Sequence, residues 1–170
     1  MFRPMRRARQ ALDEAACREI LERATAGVLS VTGDDGWPYG VPLSFALHGN
    51  EIVFHCAREG HKLDAIRAEE RVCFTVIDRD EIVGAELTTY FRSVICFGRA
   101  RLLTDWEEKS QAHLAFSMKY SAAYPEKIRK EIDGGLKNME MAAITIEHMS
   151  GKEAIELVRA REAAEREGAE

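Results

Sequence analysis

The sequence predicts an α+β domain in which six antiparallel strands form a barrel and helices lie at its periphery. Apolar segments rich in β-branched and aromatic residues recur between turn signals, and helical periodicity is confined to the segments between and after them. A chain of 170 residues can bury one full core without disulfides or metals. The predicted strands are 28–32, 39–47, 51–57, 71–77, 91–103 and 141–149.

The first helix is predicted from its two ends. Asp13 is a residue type that caps a helix, and the apolar spacing behind it continues to about Thr25. Gly27 then stops the helix. The other helices before the terminal one are predicted at 62–70, about 105–120 and 125–133.

Single residues and one segment predict the irregular features. Pro42 cannot donate a ladder hydrogen bond, so its strand lies at a sheet edge or contains a bulge. Gly98 indicates a bulge or a close backbone approach. Residues 78–90 mix charges with a glycine and predict a long loop. Ser150 and Glu153 have capping-box spacing, which predicts that the terminal helix begins there.

Composition divides the chain and limits its function. The composition predicts a basic flexible arm over residues 1–11, the folded domain over residues 12–157 and a charged helical tail over residues 158–170. A formal net charge of −5 argues against a broad nucleic-acid-binding face. No apolar run approaches the roughly 20 residues that span a bilayer, and no apolar stretch follows the basic N-terminus as in a secretory signal.

The cysteines indicate a reducing compartment. Cys17, Cys56, Cys73 and Cys96 are widely spaced and form no C-x-x-C pair, so neither a structural zinc site nor a dithiol redox pair is indicated. Cys73 and Cys96 lie in apolar strand segments, where a thiol acts as a small hydrophobic residue. We therefore expect a cytoplasmic protein.

The segment "FHCAREGHK", residues 54–62, carries the richest chemistry of the chain. It is the end of a strand, a glycine-containing turn and the first residues of a helix. A helix N-terminus presents unpaired N–H groups and a positive dipole end, so it attracts phosphate. His61 and Lys62 stand where cationic side chains complete such a site, which predicts phosphate binding; the alternative is a surface turn that only faces water.

Other interpretations of the same segment concern His55. A metal site could use His55, Cys56 and His61, but no third imidazole or carboxylate follows at a recognisable spacing. In a strand, Phe54 and His55 point to opposite faces. If Phe54 packs inward, His55 points away from the core, towards a possible ligand.

Several segments together resemble a known family. The order of "PYGVPLSFAL", "IVFHCA", "REGHKLDAI", "RVCFTV" and "YFRSVICFGRARLL" resembles the pyridoxamine 5′-phosphate oxidase-like FMN-binding split barrels. "FRSVICFGRA" and "MSGKE" resemble the Nim group within them, the 5-nitroimidazole reductases linked to nitroimidazole resistance. The likeness covers about residues 12–157. It implies a six-stranded antiparallel split β-barrel with peripheral helices, and a flavin-binding domain over those residues.

The resemblance implies a homodimer with FMN, or alternatively FAD, at each end of the subunit interface. It places the phosphate on Gly60-His61-Lys62, His55 beside the flavin ring and the stretch Val41–Ser44 along the isoalloxazine. Ser93 stands where the oxidases have a glutamine. The cofactor-binding residues it implies are Val41, Pro42, Leu43, Ser44, His55, Cys56, Ala57, Gly60, His61, Lys62, Arg92 and Ser93.

The sequence also departs from the oxidases. Their second strand carries an Arg and a Lys for the phosphate, and here those positions are Val41 and Ala46. Their C-terminal substrate-binding arginine motif has no match in "GKEAIELVRAREAAEREGAE". Pyridoxamine phosphate is therefore not the expected substrate.

The expected function is a flavin-dependent reductase of the Nim-like type that passes electrons to a small acceptor such as a nitroimidazole. His55 is the candidate catalytic residue, as a proton donor near neutral pH. No G-x-G-x-x-G stretch occurs, so a separate electron donor is implied. The alternative is a non-catalytic flavin- or haem-binding storage or sensor protein, with His55 or His61 as an axial haem ligand.

Overall fold

The computed structural model describes residues 2–168, which form one antiparallel sheet with helices around it. The strands are β1 (Ala11–Leu12), β2 (Gly27–Thr32), β3 (Pro38–Leu43), β4 (Ala46–His48), β5 (Glu51–Cys56), β6 (Arg71–Val83), β7 (Thr88–Leu102) and β8 (Glu140–Glu153). The helices are α1 (Glu14–Arg23), α2 (His61–Ala68), α3 (Trp106–Ser121), α4 (Pro125–Gly135) and α5 (Ile155–Glu167).

The order of strands in the sheet confirms the predicted class and the effect of Pro42. The order is β3-β2-β6-β7-β8-β5-β4, with β1 paired to β8. β3, which contains Pro42, therefore lies at one edge and β4 at the other. The chain passes directly from β3 to β4 through Ser44 and Phe45, so the two edges of the curled sheet meet at this short link.

The sheet has more strands than the six expected, because one predicted strand is divided and the short β1 is added. Segment 39–47 forms both β3 and β4. Tyr120 of α3 holds the link between them: its hydroxyl oxygen lies 2.6 Å from the carbonyl oxygen of Phe45 and accepts from the Phe45 N–H at 3.1 Å. The same oxygen lies 2.8 Å from the carbonyl oxygen of Thr25. These bonds replace ladder hydrogen bonds at the link.

The prediction of a long loop at 78–90 is wrong. β6 continues to Val83, a short 3₁₀ turn follows at Gly84–Glu86, and β7 begins at Thr88. The charged residues misled the prediction because both faces of this extension reach solvent, so no apolar alternation is needed. We call residues 78–92 the hairpin arm.

The capping box at Ser150 and Glu153 is also wrong. Both residues belong to β8, and α5 begins only at Ile155, with Ala154 at its N-cap. The Glu153 side chain is 1% exposed and lies 3.0 Å from Arg92 and 3.4 Å from Arg161. Its carboxylate therefore pairs with two guanidinium groups and cannot cap a helix.

The start of the chain packs onto this region. Asp13 accepts a hydrogen bond from the Ala16 N–H at 2.8 Å, which confirms the predicted cap, although α1 ends at Arg23 and not near Thr25. Within the segment predicted as a flexible arm, Gln10 is buried and donates to the Glu153 carbonyl oxygen. Arg9 pairs with Glu162 of α5 at 2.7 Å.

Two apolar clusters form the core. The larger one fills the barrel and includes inward residues of β2, β5, β6 and β7, covered at its ends by α1 and α2. The smaller one lies between the outer side of β4, β5 and β8 and helix α3, and includes Val53, Phe116 and Met141. Gly98 confirms its predicted role: the β7–β8 register shifts between Phe97 and Gly98, and a Cβ here would collide with the Thr145 carbonyl oxygen.

Five strands present a broad face that belongs to neither cluster. Strand pairing aligns residues of β3, β2, β6, β7 and β8 across it. We call it the outer face, and its residues are Gly40, Pro42, Val28, Ser30, Cys73, Thr75, Ile77, Ser93, Ile95, Phe97, His148, Ser150 and Lys152. These residues include no carboxylate, and at one end the face continues to Arg71 and Arg99, which pair with Glu69, Glu70 and Glu147.

Candidate functional site

The end of β5 directs alternate side chains to opposite sides, as the sequence predicts. Phe54 is fully buried and Cys56 is 7% exposed in the barrel core, whereas His55 is exposed. The His55 ring meets the edge of Phe116 on α3, with centroids 4.7 Å apart. Burial raises the pKa of the Cys56 thiol. Cys56 can therefore offer a ligand only its backbone, while His55 offers its side chain.

The turn after β5 leads directly into α2. Gly60 has φ 136°, a conformation that L side chains rarely adopt, and His61 is the first residue of the helix. The first N–H groups of a helix have no intrahelical acceptor, so those near His61 and Lys62 are available to an anion. A Cβ on Gly60 would meet no atom within 4 Å, so the space above the turn is open.

Strand β3 lies against the start of α2. The Tyr39 and His61 rings are stacked with centroids 4.2 Å apart. His61 Nε2 lies 3.7 Å from the Asp34 carboxylate of the β2–β3 turn, a pair that is charged only when the imidazole is protonated. The two segments that the sequence marks as separate, 39–44 and 55–62, therefore form one site.

The stretch Val41–Ser44 presents mainly backbone to this site. Val41 and Leu43 are partly buried and pack against the barrel core, whereas Pro42 points to the outer face. Ala46, which replaces a phosphate-binding cation of the oxidases, is 2% exposed in the smaller cluster. Near the stretch Val41–Ser44, the basic side chains are therefore those at the start of α2, His61 and Lys62.

The structure does not bring Arg92 and Ser93 to His55 within one chain. His55 pairs with Met141 of β8, and Ser93 pairs with Lys152 of β8. Eleven positions on an extended strand correspond to about 35 Å. Arg92 is held by Glu153 and lies 3.6 Å from Asp78. Ser93 lies on the outer face.

A cleft of about 460 Å³ lies beside Arg92, far from His55. Arg23, Glu153 and Arg161 line it, together with residues of α1. Arg23 pairs with Asp78 at 2.6 Å, and Glu153 pairs with Arg92 and Arg161. Internal ion pairs thus satisfy the guanidinium groups of this cleft, so its size alone does not make it the candidate site.

Helix α3 adds residues to the site that the sequence analysis missed. His113 is 2% exposed; its Nδ1 lies 3.3 Å from Ser117 Oγ and its Nε2 lies 3.8 Å from the Glu131 carboxylate. Burial lowers the pKa of His113. The sequence does contain a signal for this buried face. Residues three and four apart share one helix face, and the buried residues of α3 have that spacing: Ala112, His113, Phe116 and Ser117.

The arrangement can do two things chemically. The start of α2 can bind an anion through N–H groups and the side chains of His61 and Lys62. His55, exposed at the end of the neighbouring strand, can donate or accept a proton. Within residues 2–168, no three His, Cys, Asp or Glu side chains cluster as metal ligands do, and no helix is long and apolar enough to cross a membrane.

Comparison with known proteins identifies relatives of this fold. The family model described as pyridoxamine 5′-phosphate oxidase matches residues 13–153. A search of curated proteins found no match.

Solved structures with a similar fold include proteins that bind flavin or haem. A candidate 5-nitroimidazole antibiotic resistance protein from Bacteroides thetaiotaomicron is 23% identical, with 84% of this chain and 85% of that chain covered and a TM-score of 0.69. A flavocytochrome from Azotobacter vinelandii is 23% identical, with coverage of 89% and 72% and a TM-score of 0.74. An FAD and heme binding protein from Mycobacterium smegmatis is 18% identical, with coverage of 85% and 73% and a TM-score of 0.71.

Proposed function

The chain belongs to the pyridoxamine 5′-phosphate oxidase family, and from this premise we propose that it is a flavin-dependent reductase of the Nim-like type. It would bind FMN and reduce a small acceptor such as a nitroimidazole. The observation that carries the proposal is the exposed His55 side chain at the end of β5, which leads through the Gly60 turn into the open N-terminus of α2.

The residues present fit a flavin phosphate. Gly60 lets the chain turn with open space above it, and the N–H groups at His61 and Lys62 point to where an anion would lie. Lys62 is half-buried at the second position of the helix. Because Val41 and Ala46 supply no charge, α2 would hold the phosphate with fewer cations than the oxidases use, and FAD would remain compatible with the site.

A bound flavin would supply the electron chemistry, and the protein would supply position and proton transfer. The backbone of Val41–Ser44 would lie along the ring system, with Tyr120 fixing the chain just beyond it. His55 would hold a proton at its ring nitrogen and donate it to an acceptor that has gained electrons. Electrons would come from a separate donor.

A homodimer would complete the site. Ser93 is about 35 Å from His55 along the sheet of its own chain, so it can serve a flavin only on a partner subunit. The middle of the outer face, which holds Ser93 and Pro42, includes no carboxylate, as the centre of an interface typically lacks charge. We propose that two copies pack through this face. The unpaired cysteines of the chain fit a cytoplasmic protein.

A second candidate function is flavin or haem binding without catalysis, for storage or sensing. Two structural relatives are described as a flavocytochrome and an FAD and heme binding protein, and His55 and His61 are exposed imidazoles that could ligate a haem iron. The visible spectrum of the purified protein separates the cofactors. Flavin absorbs at about 450 nm and haem gives a Soret band at about 400 nm.

Activity then separates the reductase from the binding protein. Protein loaded with FMN and reduced under anaerobic conditions should be reoxidised by a nitroimidazole faster than free reduced FMN is. Equal rates for bound and free flavin would contradict the reductase proposal.

A further inference from the structure

An exposed tryptophan stands at the rim of the candidate site. Trp37 follows the β2–β3 turn and is 74% exposed. Its backbone is extended, and its carbonyl oxygen accepts a hydrogen bond from the Gly33 N–H at 2.7 Å, so Gly33 and Trp37 continue the β2–β3 ladder by one pair. Residues that lie opposite each other in an antiparallel pair share a face. The Trp37 side chain therefore leaves the sheet on the side to which a side chain at Gly33 would point.

That side is the one on which α2 begins. A Cβ at Gly33 would lie 3.0 Å from Nε2 of His61 and 3.1 Å from the Cβ of Tyr39, so glycine lets the turn lie against the His61 ring. Tyr39 stacks on His61 and follows Trp37 by two residues, so strand alternation gives both side chains the same direction. Two positions along a strand span about 7 Å. The Trp37 indole is therefore an exposed ring just beyond the Tyr39–His61 stack.

The turn before Trp37 is acidic, which limits what can bind there. Asp34 and Asp35 are exposed, and the Asp34 carboxylate lies 3.7 Å from Nε2 of His61. Two carboxylates repel a phosphate at the turn itself. They accept hydrogen bonds from hydroxyl groups, as an acidic residue does from a ribose in dinucleotide sites, and an indole face stacks on a nucleobase. The turn therefore has the chemistry of a site for a nucleoside, without a phosphate of its own.

The groups that attract phosphate lie on the other side of His61. Burial raises the pKa of the Cys56 thiol and the positive charge of Lys62 opposes that rise, so Lys62 lies towards the end of β5, whereas His61 lies towards the turn. Within residues 2–168, Arg58, exposed in the turn before α2, forms no ion pair. The end of β5, the start of α2 and the β2–β3 turn thus follow one another in the order of a ring system, a phosphate group and a nucleoside.

We propose that the β2–β3 turn is a nucleoside subsite and that the cofactor which fills the whole site is FAD. The adenine would stack on Trp37, and Asp34 would accept a hydrogen bond from the ribose. The two phosphates would lie at the start of α2, with Lys62 and Arg58 as cations. The proposal rests on the flavin binding put forward above and refines it. FMN would occupy only the flavin and phosphate parts of the site, and FAD would add the contacts at the turn.

The ratio of two flavin affinities tests the subsite. Calorimetric titration of the apo-protein with FMN and, separately, with FAD gives the two dissociation constants. The parent should bind FAD at least about fivefold more tightly than FMN, the lower end of what stacking of one base on an aromatic side chain is worth. Trp37→Ala should remove this preference and leave the FMN constant unchanged. The variant should fold, because the side chain that it removes is mostly exposed.

A matched control variant removes an exposed aromatic residue elsewhere. Tyr124 is 57% exposed and follows Tyr120 by four residues. Tyr120 contacts Thr25 and Phe45, at the opposite end of the β2–β3 hairpin from Trp37. Tyr124→Ala should therefore leave both flavin constants unchanged.

The outcomes separate the subsite from the proposed function. Equal constants for FMN and FAD in the parent would overturn the subsite, and so would equal losses of FMN and FAD affinity in Trp37→Ala. A preference for FAD that survives in Trp37→Ala would also overturn it, because the adenine would then bind elsewhere. These three results would leave the flavin site of the proposed function standing. If the parent binds neither flavin, both the subsite and the proposed function are wrong.

Asp34→Asn tests the ribose contact separately. The amide keeps the shape of the side chain, accepts a hydrogen bond more weakly than a carboxylate, and removes a negative charge near the phosphate. FMN affinity should therefore stay equal or rise. The preference for FAD over FMN should fall at least about threefold, as expected when a hydrogen bond to a charged group becomes a neutral one. A preference that is unchanged or larger in Asp34→Asn would overturn this contact.

Discussion

The ring of His61 lies stacked on the ring of Tyr39, with centroids 4.2 Å apart and planes 16° from parallel. This contact joins the first residue of α2 to the edge strand β3. It places the start of the helix beside the strand that contains the stretch Val41–Ser44. Neither segment is a site alone, and the stack joins them into one surface.

His55→Gln tests the proton donor. Glutamine keeps a hydrogen-bond donor of similar reach but cannot deliver a proton near neutral pH. We expect normal FMN binding and at least about a tenfold loss in nitroimidazole reduction under anaerobic conditions, since a positioned acid is worth about 10²–10⁴ in rate. His48→Gln, at an exposed histidine of β4, is the control. If His55→Gln reduces the nitroimidazole at the parental rate, His55 only lines the site and does not donate the proton.

Lys62→Ala tests the phosphate site at the start of α2. We expect flavin binding to weaken by about 1.5–3 kcal/mol, the range for a hydrogen bond to a charged group. Fluorescence quenching during titration of apo-protein with FMN measures this. Arg67→Ala removes a cation from the last turn of the same helix, where it pairs with Asp64, and should leave the affinity unchanged. If both variants lose the same FMN affinity, the loss reflects the overall positive charge of the helix, and Lys62 makes no specific contact with the phosphate.

Tyr120→Phe tests the link between the two edges of the barrel. Removal of the hydroxyl leaves the Phe45 N–H and its carbonyl without their partner, so the free energy of unfolding should fall by about 1–3 kcal/mol. Urea unfolding measures the change. Tyr124→Phe, at a side chain that is 57% exposed, should stay within about 0.5 kcal/mol of the parent. No loss in Tyr120→Phe would mean that water replaces the hydroxyl.

Lys119 predicts a pH dependence of stability. Burial lowers its pKa from 10.5 to about 8, while in the unfolded chain the pKa stays near 10.5. Between these values the unfolded state binds more protons, so the free energy of unfolding contributed by this residue should rise as pH increases from about 8 to about 10.5. Because the side chain is half-exposed and screened, we expect a gain of about 1 kcal/mol.

Lys119→Met isolates this contribution, since other titrating groups are common to both proteins. Urea unfolding at several pH values between about 7 and about 10 gives the stability difference between parent and variant. That difference should shift in favour of the parent as pH rises. A difference that is constant across the range would contradict the lowered pKa.

Local rules account for several elements of the fold. Asp13 caps α1, Pro42 lies in an edge strand and Gly98 marks the bulge, because each effect depends on a property of one residue and its neighbours. The opposite orientations of Phe54 and His55 follow from strand geometry in the same way. The start of a helix at His61 is likewise a local consequence of the glycine turn.

Other expectations were wrong at positions where residues far away in the sequence determine the local structure. The spacing of Ser150 and Glu153 suits a capping box, but Arg92 and Arg161 pair with that carboxylate from elsewhere in the chain and keep it in β8. His113 is buried because α4 and the sheet cover α3, which a single segment does not reveal. Residues 78–90 were predicted as a loop because their charges hide a strand pair that only the register shows.

The sequence by itself determined the antiparallel barrel, the glycine turn with His61 and Lys62, and the outward direction of His55, because turn chemistry, strand alternation and helix ends are local properties. The tertiary structure alone decided that β3 meets α2 through Tyr39 and His61, and that Tyr120 ties the β3–β4 link. It also decided that Ser93 lies far from His55, on an outer face without carboxylates. These relationships depend on how the sheet curls and on which strands are neighbours, and no short stretch of sequence encodes either.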